Sequence, residues 1–218
     1  VVVVFKLAPY LPNEAIRESL MKVSVIPDLA MRARAIVELA HRLPEEEQEE
    51  WFRVALSTAR SIENLHERIR TVVDVVSHFS PERQKSIYTE EFLATQTIRN
   101  ETQPGVILEM LVPHLLGHQK QLAVEGLINH TRLISSETER ARRLILLAPQ
   151  LPVELQTEAF AIARSLRNEV QRAEALIAFA RTFPAELIPD ILAEAQGILD
   201  ERVRTNLLSS LAPHIPVS

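Results

Sequence analysis

The sequence predicts an all-α fold, an α-solenoid of stacked helical hairpins with a repeat length of 32 or 36 residues, and three observations carry that expectation. A phrase of the form LAPxLP recurs along the chain: LAPYLP at 7–12, LAHRLP at 39–44, LAPQLP at 147–152, FARTFP at 179–184 and LAPHIP at 211–216, with weaker copies at 75–80 and 111–116. Successive copies begin 32, 36, 36, 36, 32 and 32 residues apart. The two lengths differ by 4, about one helical turn, and a unit that grows by a whole turn keeps its apolar face in register. Composition agrees: 4 Gly against 13 Pro, with 5% aromatic residues, is too little turn glycine and aromatic strand material for a many-stranded sandwich or barrel.

The register divides the chain into a partial repeat at 1–12 and full repeats at 13–44, 45–80, 81–116, 117–152, 153–184 and 185–216, all within one helical-repeat domain. Taken in order, the first element is a remnant. Val1, Val4, Leu7, Ala8 and Leu11 occupy the apolar columns of a second helix whose hairpin partner is missing, so the valine run reads as helix rather than as strand or signal peptide. With six hairpins after it, twelve or thirteen helices are expected. The first helix of a unit shows an apolar stripe, as in Phe52, Ala55, Leu56, Ala59 and Ile62, or Leu155, Ala159, Phe160, Ala163 and Leu166. The second helix shows another, as in Ala33, Ile36, Leu39, Ala40 and Leu43, or Ala173, Leu176, Phe179, Ala180 and Phe183. Two amphipathic helices cannot bury both stripes alone, and stacking on neighbouring units solves this.

Each second helix also has a start signal. Asp28, Asn64, Asn100, Ser136, Asn168 and Asp200 fall in one column and are all N-cap residue types. Glu67, Gln103, Glu139 and Gln171 stand three residues later, the place of the reciprocal partner in a capping box. The proline closing a unit suits the first turn of the next helix and no helix interior. The repeat at 81–116 breaks the pattern with Pro104, which lacks an N–H to bond back to Asn100, and with Gly105 after it. Its second helix is expected to begin late, at Pro104, and its closing Leu116-Gly117 replaces the usual proline.

The runs 64–76, 168–180 and 200–212 resemble the second helix of HEAT-type repeats, where an Asp or Asn cap is followed by an apolar residue, an Arg and a small-apolar ladder. Arg32, Arg68, Arg140, Arg172 and Arg204 hold the Arg column here. The resemblance, TPR-like as well in its stacked hairpins, covers the whole chain and implies a superhelix with a concave, helix-lined face. The LAPxLP endings are similar to helical-repeat sensor arrays of large bacterial signalling proteins of the STAND NTPase type. Neither end shows a polar capping repeat, so the chain is expected to be a segment of a longer array with further repeats or domains in the same parent chain, and without Cys a cytoplasmic setting is the default expectation.

Candidate sites follow from the columns. An Arg in a first helical turn opposes the helix dipole, so something must compensate. Two readings stand: a structural ladder against the caps or Glu67, Glu139 and Glu201 of a neighbouring turn, or a track for an anion or acidic peptide. Two columns further along the exposed edge, Arg34, Arg70 and Arg142 are accompanied by Val106, Met110 and Leu146. Arg34 with Glu38 and Arg70 with Asp74 are spaced for solvated i,i+4 pairs. The three apolar residues are read either as a partner patch or as a widened core. His78, His114 and His214 share a column near helix C-termini, where a cationic side chain suits the exposed carbonyls; the acidic run 45–50, with Gln48 inside it, suits a helix start.

Nothing announces a reaction. The chain has no Cys and no phosphate-cradling Gly loop, nucleophile elbow or HExxH, so no catalytic residue, metal ligand or cofactor is assigned. The net charge of −5 weighs against a nucleic-acid or anionic-membrane surface, and no apolar run is long enough to span a bilayer. The leading expectation is a non-enzymatic module that binds a protein or peptide. Two alternatives are a nucleic-acid-binding HEAT-like protein such as a DNA-repair glycosylase, which would need a basic face and a catalytic acid beside aromatics, and a structural spacer. Trp51 and Tyr88 are expected in the core rather than on such a face.

Overall fold

The computed structural model describes residues 11–96 and 104–214. Twelve α-helices run through them, and no strand occurs among the described residues. In chain order they are α1 Asn13–Met21, α2 Leu29–Ala40, α3 Glu45–Arg60, α4 Leu65–Val76, α5 Pro81–Gln96, α6 Pro104–Leu111, α7 Gly117–Leu133, α8 Glu137–Leu147, α9 Val153–Arg164, α10 Glu169–Ala180, α11 Ile188–Gln196 and α12 Glu201–Leu211. The proposed helix at 1–12 and the cap Asn100 lie outside the described residues, apart from positions 11 and 12. None of the described helices is long and apolar enough to cross a membrane.

Helix starts are made by local chemistry. Asp28 Oδ1 accepts the Met31 N–H at 2.7 Å, Asn64 Oδ1 that of Glu67 at 2.9 Å, Asn168 Oδ1 that of Gln171 at 3.1 Å and Asp200 Oδ1 that of Val203 at 3.0 Å; Ser136 Oγ accepts from Glu139 more loosely at 3.3 Å. Each removes one of the unpaired donors of a first turn. Helices α3 and α9 start without a side-chain cap, after Pro44 and Pro152. There Gln48 donates to the Leu43 carbonyl at 2.8 Å, and Gln84 donates to Phe79 at 2.9 Å across the start of α5. Helix α6 is described over the 8 residues Pro104–Leu111, against 11 or 12 in the other second helices, and the residues that bear on its expected late start, 97–103, lie outside the described ones. Gly117 opens α7 with φ +53°, a left-handed conformation that β-carbon-bearing residues avoid, which accounts for glycine at this junction.

Two compact units divide the chain, residues 1–119 and 120–218. In the first, each second helix packs on the hairpin partner before it, and α2, α4 and α6 pack in series. In the second, α8, α10 and α12 pack in series in the same way, with α9 and α11 against them. This neighbour-to-neighbour packing is compatible with a helical repeat array. The striped residues fill the interior: Ala33, Ile36, Phe52, Ala55, Ile69, Val72 and Phe92 in the first unit, and Ala141, Leu144, Ala163, Leu176, Phe179 and Leu207 in the second, are buried. Tyr88 is buried as expected, stacked on His114 with centroids 4.3 Å apart, whereas Trp51 is only half-buried and Leu155 cedes its place in the core to Gln156.

Candidate functional site

The second helices present the candidate residues, and the Arg column lies at their base. Arg32 donates from Nε and Nη2 to the Ile26 carbonyl at 2.8 and 2.5 Å, Arg172 to that of Leu166 at 2.8 Å and Arg204 to that of Ile198 at 2.9 Å. In each case the acceptor lies in the turn just after the unit's first helix. The guanidinium thus answers the partial negative charge of one helix end while it sits at the start of the next. The expected carboxylate partners are not the ones used. Arg140 lies 3.9 Å from Glu137 and Arg172 3.6 Å from Glu169, whereas Glu139 takes its two short contacts from Arg142. Arg68 is half-buried at the equivalent place in α4.

Glu137 and Glu169 do more than pair with arginine. One oxygen of Glu137 accepts the backbone N–H groups of both Arg167 and Asn168 at 3.0 Å, and Glu169 accepts those of Leu199 and Asp200 at 2.9 Å. These bonds hold both carboxyls below the usual carboxylate range. They also correct the capping-box expectation at Asn168. Its N–H is taken by the preceding unit's Glu137, and the Gln171 amide turns away to Thr138 at 2.6 Å.

In the first unit, α2 and α4 line an open groove of about 320 Å³ with Arg34, Val37, Glu38, Asp74, Val75, Ser77 and His78. Asp74 is bound by Arg34 of the neighbouring unit, with Nη2 at 2.9 Å and Nε at 3.3 Å, and not by Arg70 of its own helix. The expected i,i+4 pairs within α2 and α4 are therefore replaced by one pair between helices, because stacking brings the two second helices side by side. At the end of the groove His41 Nε2 and His78 Nδ1 meet at 2.7 Å, so one ring donates and the other accepts. Phe52 is buried beneath both, 5.1 Å from the His41 ring and 5.8 Å from that of His78. Burial and the neighbouring His41 lower the pKa of His78, against the opposing pull of Glu38 and Asp74.

The other candidates are dispersed. Arg70 is exposed on α4, and Arg142 is held by Glu139 at 2.6 Å on α8. Val106 is exposed and Met110 half-buried on α6, while Leu146 is exposed on α8 in the second unit. Among the described residues, no three His, Cys, Asp or Glu side chains converge as a metal site.

Three contacts escaped the sequence reading although their residues were in view. His41 stands one column away from His78, so the register alone did not pair them. Arg60, Arg132 and Arg164 share a column and bridge first helices, Arg60 to Glu90 and Glu91, Arg132 to Glu158 and Arg164 to Glu194. The ladder glutamates follow directly after a cap, a place where acids are common for their effect on the helix dipole alone. No protein-family model, curated protein or solved structure matches the chain.

Proposed function

We propose that the chain is an α-solenoid of stacked hairpins, with units of 32 or 36 residues, that serves as a non-enzymatic recognition module for a protein or peptide. The observation that carries this reading is the groove between α2 and α4. It sets donors and acceptors of both signs, Arg34, Glu38, Asp74 and His78, around the apolar Val37 and Val75. Such a lining suits an extended segment that places a charged side chain on either wall and an apolar one between them. The resemblance to sensor arrays supports a setting within a larger cytoplasmic signalling or defence protein.

Selection from a displayed peptide library against the intact chain tests the reading. Peptides recovered with the wild type should lose at least tenfold in affinity toward Val37→Arg and Arg34→Glu variants that retain full helicity. Undiminished binding to both variants would move recognition away from this groove. Titration with a fluorescent DNA duplex at two salt concentrations tests the nucleic-acid alternative, for which binding should weaken steeply with salt.

A further inference from the structure

Among the described residues the Glu ladder has a third member; a fourth acid of the column, Glu101 after Asn100, lies outside them. Glu137, Glu169 and Glu201 each follow an N-cap, after Ser136, Asn168 and Asp200, and the last two lie 32 residues apart in equivalent helices. The first two accept a pair of consecutive backbone N–H groups 30 and 31 residues further along the chain. Glu201 is exposed and has no hydrogen-bond or ion-pair partner among the described residues.

The surrounding face changes in the same way. Ala173 and Leu176 of α10, which packs on α12, are buried; their counterparts Thr205 and Leu208 on α12 are exposed and half-buried. An open groove of about 600 Å³, lined by Asp200, Glu201, Arg202, Thr205 and Asn206, lies beside the free carboxylate. The surface used at two joints of the second unit is thus present a third time and uncovered by any described residue.

From this we infer that the face of α12 is a docking surface for one more helical hairpin, a further repeat of the same array, and that Glu201 is its anchor. The inference rests on the array reading proposed above. The occupant's chemistry is specified by the two filled joints: its second helix begins with a cap whose own N–H and the N–H before it are both free to donate. A second copy of this chain offers no such end at its first described cap, because Pro27 precedes Asp28 and has no N–H. Thr205 and Ser209 stand where α10 carries Ala173 and Ile177, so apolar contact contributes less at this joint and the carboxylate carries a larger share.

The test extends the protein. A second copy of residues 185–216, joined after residue 216, places the copied Leu199 and Asp200 amides 30 and 31 residues after Glu201, the spacing seen from Glu169. Helical ellipticity per residue should hold and the melting temperature should rise. Glu201→Gln should then lower the melting temperature of the extended protein by about 2–4 °C, a typical shift for a chain of this size, and leave the original chain unchanged. Equal shifts in both chains, or none in the extended one, would overturn the role of Glu201 while leaving the array reading intact. Loss of ellipticity per residue on extension would overturn both.

Discussion

Directly after the cap stand Leu29 and Leu65 at the starts of α2 and α4, and Glu137, Glu169 and Glu201 at the starts of α8, α10 and α12; Glu101, after the third cap of residues 1–119, lies outside the described residues. That exchange accompanies a change in how neighbouring hairpins are joined. The first unit joins its second helices through side chains on both partners, Arg34 with Asp74 and His41 with His78 over Phe52. The second unit has one such pair, Gln171 with Thr138, and in addition reaches from a side chain to backbone, Glu137 and Glu169 to the amides before α10 and α12. A backbone amide is supplied by any residue except proline, so the second kind of joint constrains one side chain only. The first kind needs two matched side chains and, at His78, brings a titratable imidazole into the joint.

The severest test of this division is Phe52→Ala. Removing a buried ring that packs on His41, His78 and Phe79 should cost about 3–5 kcal/mol. Hydrogen exchange should quicken within 11–96 and leave the helices of 120–214 protected. Uniform loss of protection along the chain would erase the distinction between the units.

Cap removal is smaller and should act alike in both. Asn64→Ala and Asn168→Ala each lose one acceptor for a first-turn N–H, at about 1 kcal/mol in urea unfolding. A cost confined to Asn168 would mean that the ladder bond from Glu137 depends on the cap.

Acid should separate the units by pH. His78 has a lowered pKa in the fold, so the stability it contributes is present above the ordinary value of 6.5 and is lost as the pH falls through the folded value. The groups facing it are His41, Glu38, Asp74 and, through Asp74, Arg34. Glu137 and Glu169 are lowered from 4.5 by backbone hydrogen bonds, so their contribution persists above that value and is lost only as the pH falls below it. Amide exchange followed from pH 7.5 to 3.5 should therefore loosen α2 and α4 before α10 and α12; the reverse order would contradict the assignment of the joints. Among the weakest effects, Arg34→Ala removes a half-exposed ion pair and should cost about 0.2–1 kcal/mol, and a larger loss would show that this pair, rather than the imidazoles, holds the first unit together.

Much of this was legible from residues in order. A cap followed three residues later by its N–H, a stripe at helical spacing and a proline between helices are all local: each involves groups within about one turn, whose geometry the backbone settles by itself. Hence the starts of α2, α4, α8, α10 and α12 and the buried stripe from Phe52 to Ala59 could be read without a structure. What only the tertiary structure decided is which partner each charged side chain took. Asp74 had Arg70 one turn away yet binds Arg34, and the Asn168 amide had Gln171 within reach yet goes to Glu137. An exposed pair on one helix is worth a few tenths of a kcal/mol, so the rotation and rise that stacking imposes outweigh it. Those two quantities, which set His41 against His78 and leave Glu201 unpartnered, come from the packing of many apolar contacts at once and are written in no single column of the sequence.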